Sequence, residues 1–233
     1  MALPKLNNNP KYEMIIPSKN QTVRFRPYLV KEEKVLLMAF ESQDTTQAMK
    51  AIIDTILVCV DDNITGEELT TFDVEYMFTK LRAKSVGETS NVNITCSSCE
   101  ETNQVSINID DISIELDKSS EKIELQDNIH VEMGYPSAKV LMSMDAGLSQ
   151  TEQMMELIIF SIKNIMTDDE NINVNDVPMA DVREFVDSMT GEQFKQVSEF
   201  VASIPTLTKD VEFTCEKCNT ENKHTLSGFT DFF

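Results

Sequence analysis

A chain of 233 residues, 41% of them apolar, is long enough to bury a substantial core as one or two domains and needs no disulfide to fold. Its 40 Asp and Glu against 20 Lys and Arg give a formal net charge of −20, which argues against a nucleic-acid binder, because phosphate affinity needs clustered cations. The opening MALPKLNNNP has no apolar signal core and no apolar run is long enough to cross a bilayer, so the five cysteines are expected to stay reduced, which favours metal over disulfide.

Two short strands, 12–16 and 22–26, are expected around a Ser18-Lys19-Asn20 turn. Helices follow. One spans about 31–41, and a second, about 45–60, places Ala48, Ala51, Ile52, Thr55, Ile56 and Cys59 on one face. Ile53, Leu57 and Val58 widen that face, so this helix is expected to be buried on more than one side. A third helix, about 71–84, carries Val74, Met77, Phe78 and Leu81 in register and ends near Gly87. Between 110 and 135 the runs ISIEL, KIEL and IHVEM alternate as strands do. A second helical block begins near Pro136. Its main helix is expected over 151–166, with Met154, Met155, Ile158, Ile162 and Ile165 as its core stripe, and the acidic residues 167–170 read as a solvated loop. Pro178 suits the first turn of a helix that carries Val182, Phe185, Val186 and Met189. Thr190 and Gln193 form a capping-box pattern before Phe194, Val197, Phe200 and Val201, and Pro205 stops that last helix.

Two CxxC pairs punctuate this order within one repeated frame. VNITCSSCEETNQVSI matches VEFTCEKCNTENKHTL, so Val92 corresponds to Val211, Thr95 to Thr214, Asn103 to Asn222 and Ile107 to Leu226, all at one offset. In each copy an alternating strand enters a tight turn and a second strand leaves it, the layout of a zinc knuckle. Two residues between cysteines let both sulfurs of a turn face one ion, and two such turns supply four soft ligands: Cys96, Cys99, Cys215 and Cys218. The expectation is one structural Zn2+ per chain, closed to water and substrate. The alternatives are reduced, unliganded cysteines, or thioredoxin-like redox chemistry, which wants CxxC at a helix start in a βαβ setting that neither copy offers. His224 reads as an ordinary strand or surface histidine, and Cys59 as a small buried hydrophobe.

No catalytic pattern appears: there is no GxSxG, P-loop, HExxH or Gly-rich dinucleotide turn, and neither His130 nor His224 lies beside a nucleophile in sequence. Most of the methionines fall on helix core positions. Charge is uneven, with eight Lys or Arg against five Asp or Glu in residues 1–50, so Arg24, Arg26, Lys31 and Lys34 offer either a basic contact surface for an acidic neighbour, another copy included, or the solvated ends of a strand and a helix.

The segments RPYLVKEEKVLLMAFES (26–42) and FDVEYMFTKLRAKSVGE (72–88), the two knuckles and the ending SGFTDFF resemble the baseplate hub protein family of T4-like contractile-tailed bacteriophages. The family pattern falls on Arg26, Glu32, Glu33 and Lys34, and on Arg82, Lys84, Gly87 and Glu88; nothing is carried over to 111–177. The resemblance implies a non-enzymatic structural protein of the virion tail baseplate, present in host cytoplasm during assembly and contacting other hub or tape-measure proteins, with a homo-oligomer as a further option. A tail assembly chaperone for those proteins, absent from the mature virion, is the alternative, and a CxxC thiol oxidoreductase a distant third. Neither nucleic acid nor, by itself, membrane is an expected partner.

The expected fold class is α+β: two mainly helical blocks with short strands, joined by a two-knuckle zinc-ribbon-like site. Its parts are 1–110 with the first knuckle, a β-rich segment 111–135, and 136–233 with the second knuckle, forming one integrated unit because no Gly/Ser/Pro-rich linker intervenes. The terminal Gly228-Phe229-Thr230-Asp231-Phe232-Phe233 either packs back onto its own knuckle or serves as an interface anchor, and on the anchor reading deletion of Phe232 and Phe233 spares the fold.

Overall fold

A computed structural model describes residues 9–42, 44–112, 114, 116, 120–144, 147–228, 231 and 232. Helix and strand are mixed along the chain. Strands β1 (Tyr12–Ile16) and β2 (Gln21–Phe25) pair antiparallel, and Asn20, at φ 48°, takes the left-handed turn position that Asn tolerates. Helices α1 (Val30–Glu41), α2 (Thr45–Cys59) and α3 (Thr71–Ser85) follow within a residue of expectation. The Asp44 carboxylate caps α2 by accepting from the Thr46 and Gln47 N–H groups, satisfying donors that a helix start leaves open. Strands β3 (Thr89–Thr95) and β4 (Thr102–Asn108) form the first cysteine hairpin. Next come β5 (Ser120–Gln126), β6 (Ile129–Gly134), the short α4 (Ala138–Met142), α5 (Gln150–Ser161), β7 (Ile162–Met166), β8 (Asn171–Asn173), α6 (Met179–Asp187) and α7 (Gly191–Ala202). Strands β9 (Thr208–Thr214) and β10 (Glu221–Ser227) make the second cysteine hairpin.

The chain divides into two compact units with borders at 66/67, 71/72, 115/116 and 205/206, so the first unit gathers both cysteine hairpins with α1, α2 and nearly all of α3. In that unit the β1–β2 hairpin is fastened to the end of α2 through Arg26 N–H to Cys59 O (2.9 Å) and Asp61 N–H to Arg24 O (2.8 Å). Ser18 donates its N–H and hydroxyl to the fully buried Asp73 carboxylate in the first turn of α3. The hairpins alternate in burial as a one-sided sheet requires. Val92, Ile94, Ile107, Val211 and Leu226 turn inward to a shared core with Ala83, Ile109, Ile112, Leu207 and Phe232.

The second unit is a four-stranded antiparallel meander in the order β5-β6-β7-β8. Val131, Met133 and Ile162 from its strands share a core with Ile158 and Ile159 of α5, Val182 and Val186 of α6, and Val197, Phe200 and Val201 of α7. Pro178 stands at the N-cap of α6, and the Thr190–Gln193 capping box forms at α7 as its spacing predicts.

Three expectations change. The helix expected over 151–166 ends at Ser161, and Ile162–Met166 is strand β7, paired with both β6 and β8. The β-branched Ile162 and Ile165 suit a strand, Asn164 weakens a helix interior, and the Asn164 amide donates to Glu132 across β6 at 2.7 Å, so tertiary pairing overrides helical periodicity. Residues 167–170 remain the solvent-exposed loop expected of them, now as the turn of the β7–β8 hairpin, closed by Thr167 N–H to Glu170 O. On α2, Ile53 is buried and Leu57 half-buried, as the wide apolar face requires, but Val58 is open to solvent. Of the run ISIEL (112–116), expected as a strand, the described Ile112, Ile114 and Leu116 lie in no strand, and the other two residues lie outside the described residues. Among the described residues no helix is long and apolar enough to cross a membrane.

Candidate metal centre

Each knuckle is built by one backbone device used twice. In the first, Cys96 N–H bonds Glu101 O (2.8 Å) and Glu100 N–H bonds Cys96 O (3.1 Å); in the second, Cys215 N–H bonds Thr220 O (2.9 Å) and Asn219 N–H bonds Cys215 O (2.9 Å). The residue after each CxxC then turns left-handed, Glu100 at φ 58° and Asn219 at φ 59°. Asn accepts that conformation readily; Glu does so at a cost, which the surrounding hairpin sustains.

The two turns bring all four sulfurs within 4.8 Å of one another. Cys96 Sγ lies 3.7 Å from Cys218 Sγ, and Cys99 Sγ lies 3.7 Å from Cys215 Sγ. Four thiolates at about 2.3 Å from a central ion stand about 3.8 Å apart at the edges of a tetrahedron, so the donor set and its spacing fit a tetrahedral zinc-sized cation. Backbone N–H groups of Ser98 and Cys99 hold the Cys96 thiol well below its usual range, at about 6, and those of Cys218 and Lys217 also favour the Cys215 thiolate. At Cys99 the Glu101 N–H favours the thiolate, yet the crowded sulfurs of Cys218, Cys215 and Cys96 outweigh it and push the thiol up to about 12. A divalent cation at their centre favours the thiolate form of all four instead.

Around the sulfurs lies a reciprocal pair that spacing alone did not reveal. Asn103, on the first hairpin, donates to Cys215 Sγ (3.6 Å) and accepts from Glu216 N–H (3.0 Å) on the second. Asn222, on the second, donates to Cys96 Sγ (3.5 Å) and accepts from Ser97 N–H (2.9 Å) on the first. Both side chains are buried, and each bonds the opposite turn. The signal was their match at a single offset in the repeated frame. Lys217 and Glu101 add an exposed ion pair between the turns.

His224 is exposed on β10 opposite Val211, away from the sulfur cluster's ligand set. Cys59 is buried, and burial pushes its thiol up to about 11, so it behaves as an inert hydrophobe. Phe232 is fully buried in the core of the cysteine-hairpin unit, and its carbonyl accepts from Ser90 Oγ at 2.7 Å, which corrects the anchor reading for that residue; Phe229 and Phe233 lie outside the described residues.

The basic residues near the N-terminus separate by role. Arg26 is internal: its guanidinium reaches Glu32 Oε1 (3.0 Å) and the Pro27 and Val58 carbonyls, while Glu32 Oε2 accepts Leu29 N–H at the start of α1. Lys31 lies 3.2 Å from Glu32, Glu33 is half-buried, and Arg24 and Lys34 are exposed. In the second motif Lys84 bonds Asp110 (2.8 Å) and Glu88, and these carboxylates hold its ammonium pKa above the usual lysine range. Arg82 is desolvated beside Tyr28, whose hydroxyl burial pushes up to about 12 despite that cation. Gly87, at φ 149°, ends the helix in a conformation that disfavours other residues.

Compared with known proteins, residues 9–233 match the model of one family, described as T4 bacteriophage base plate protein. No curated protein and no solved structure matches the chain.

Proposed function

The chain belongs to the T4 bacteriophage base plate protein family, and from that premise we propose that it is a non-enzymatic structural component of the baseplate hub, working in tail assembly through contacts with other tail proteins. The family match across nearly the whole chain carries this reading. Cys96, Cys99, Cys215 and Cys218 hold one structural Zn2+, which cross-links the two hairpins and leaves no coordination position for chemistry. Such a clasp suits a part that must keep its shape among neighbours. Structural zinc supplies on the order of 10–16 kcal/mol in small zinc peptides, and part of that free energy fastens the C-terminal hairpin to the N-terminal one.

Mass spectrometry of purified virions tests the role: the chain is expected among the tail proteins. Its absence from virions that required it for assembly would overturn the hub reading in favour of an assembly factor. Elemental analysis tests the clasp separately, with about one zinc per chain expected. Metal-free protein with four reduced thiols would refute it. With zinc present, Cys96→Ser and Cys215→Ser lower the melting temperature far more than Cys59→Ser; equal melting temperatures for the three would break the clasp argument.

A further inference from the structure

Helix α1 turns most of its apolar side chains outward. Val30, Val35, Leu37, Met38 and Phe40 are exposed, with Met38 at 70% and Val30 at 67%, whereas of its apolar residues only Leu36 and Ala39 are buried. At the N-terminal end of this face stands exposed Leu29. The Arg26 guanidinium bonds both Glu32 and the Val58 carbonyl, so exposed Val58 opens at that same end of the α1–α2 hairpin. Scattered exposed hydrophobics are ordinary, but a helix that shows more apolar residues to water than to its own core marks a docking face.

The charges on this face say what covers it. Lys34, Leu37, Met38 and Glu41 lie on one strip at the i, i+3, i+4 and i+7 positions. Lys34 and Glu41 are both exposed, and among the described residues neither has an ion-pair partner in its own chain. Laid antiparallel against an identical helix about a dyad between Leu37 and Met38, the strip matches itself. Leu37 of one copy then meets Met38 of the other, Lys34 of one meets Glu41 of the other, each contact occurs twice, and the two helix dipoles oppose favourably. The chain's charge of −20 works against self-association as a whole, yet α1 lies in its net-positive first 50 residues, and charge beyond about 8 Å is screened at physiological ionic strength.

We infer that the exposed face of α1 is an isologous dimer interface, occupied by α1 of a second copy in antiparallel register. A face one helix long, about 18 Å for twelve residues, falls at the small end of stable interfaces, so the dimer forms in roughly the micromolar range.

Sedimentation equilibrium on the full chain tests this, with circular dichroism confirming that each variant remains folded, since every altered position is exposed. Wild type is expected to pass from monomer to dimer between about 1 and 100 µM. Leu37→Glu with Met38→Glu removes the dimer over that range. Lys34→Glu and Glu41→Lys each weaken self-association about tenfold or more, because like charges then face each other twice. Mixing these two variants in equal amounts restores the dimer, since the strip that is acidic at both ends in one variant then faces the strip that is basic at both ends in the other. A wild type that stays monomeric at 100 µM, a dimer indifferent to the Leu37 and Met38 changes, or a mixture of charge variants no tighter than either alone would each overturn the inference. A different tail protein binding α1 of a strictly monomeric chain would overturn it as well.

Discussion

Replacing Phe232 by Ala decides between the two readings of the chain's aromatic end. The side chain is fully buried among Ile109, Ile112, Leu207 and their neighbours, and its carbonyl is held by Ser90. Returning a buried aromatic to water forfeits roughly 1.5–3 kcal/mol of transfer free energy. The cavity left in a core that both cysteine hairpins build adds the rest, so the total falls at about 3–5 kcal/mol. In a chain of this length each kcal/mol moves a midpoint by roughly 2–4 °C, which puts the expected drop at about 6–20 °C. Scanning calorimetry measures it, and Phe232→Leu, which fills most of the volume, is expected to lose less than half as much. A midpoint for Phe232→Ala within about 2 °C of wild type would refute the packing argument, because no residue sealed in that core is removed with so small an effect.

Asn103→Ala and Asn222→Ala are expected to act alike, each stranding one backbone N–H of the opposite turn and losing one amide-to-sulfur bond, at about 1–3 kcal/mol and about 10–100-fold in metal affinity by chelator competition; unchanged affinity in both would refute their cross-turn role. Burial opposes the charge on Glu32, but the Leu29 N–H, Arg26 and Lys31 together hold its carboxyl below the ordinary 4.5. A depressed folded value means the stabilisation is complete above the unfolded value and is lost as pH falls through the folded one. Denaturation midpoints between pH 7 and pH 3 are therefore expected to fall less steeply for Glu32→Gln than for wild type, and identical slopes would remove Glu32 from the acid-side account.

What the sequence made legible was whatever local chemistry decides. Turn residues and alternation placed β1 and β2, apolar periodicity placed α2, a capping-box pattern placed α7, and the repeated cysteine frame brought four sulfurs together from distant parts of the chain. Periodicity failed where a distant backbone decided instead. Ile162 and Ile165 satisfy the spacing of a helix and the preference of a strand equally, and pairing with β6 and β8 selects the strand. Asn103 and Asn222 show in the sequence only as a match at one offset, since their bonds to the opposite turn form only when the two hairpins meet.

The same limit explains α1 and Phe232, which reverse each other. An apolar pattern says that a surface needs a cover but not which surface supplies it. Phe232, for which the sequence left self-packing and an interface anchor both open, finds its cover in the chain's own hairpins; the outward apolar residues of α1 do not. In a baseplate-family protein that difference is informative, because apolar surface at Val30, Leu37 and Met38 that is not buried by folding remains available for association. The sulfur cluster lies in the same unit, so on the proposed zinc clasp the metal's folding free energy would help hold the unit that carries this exposed apolar helix.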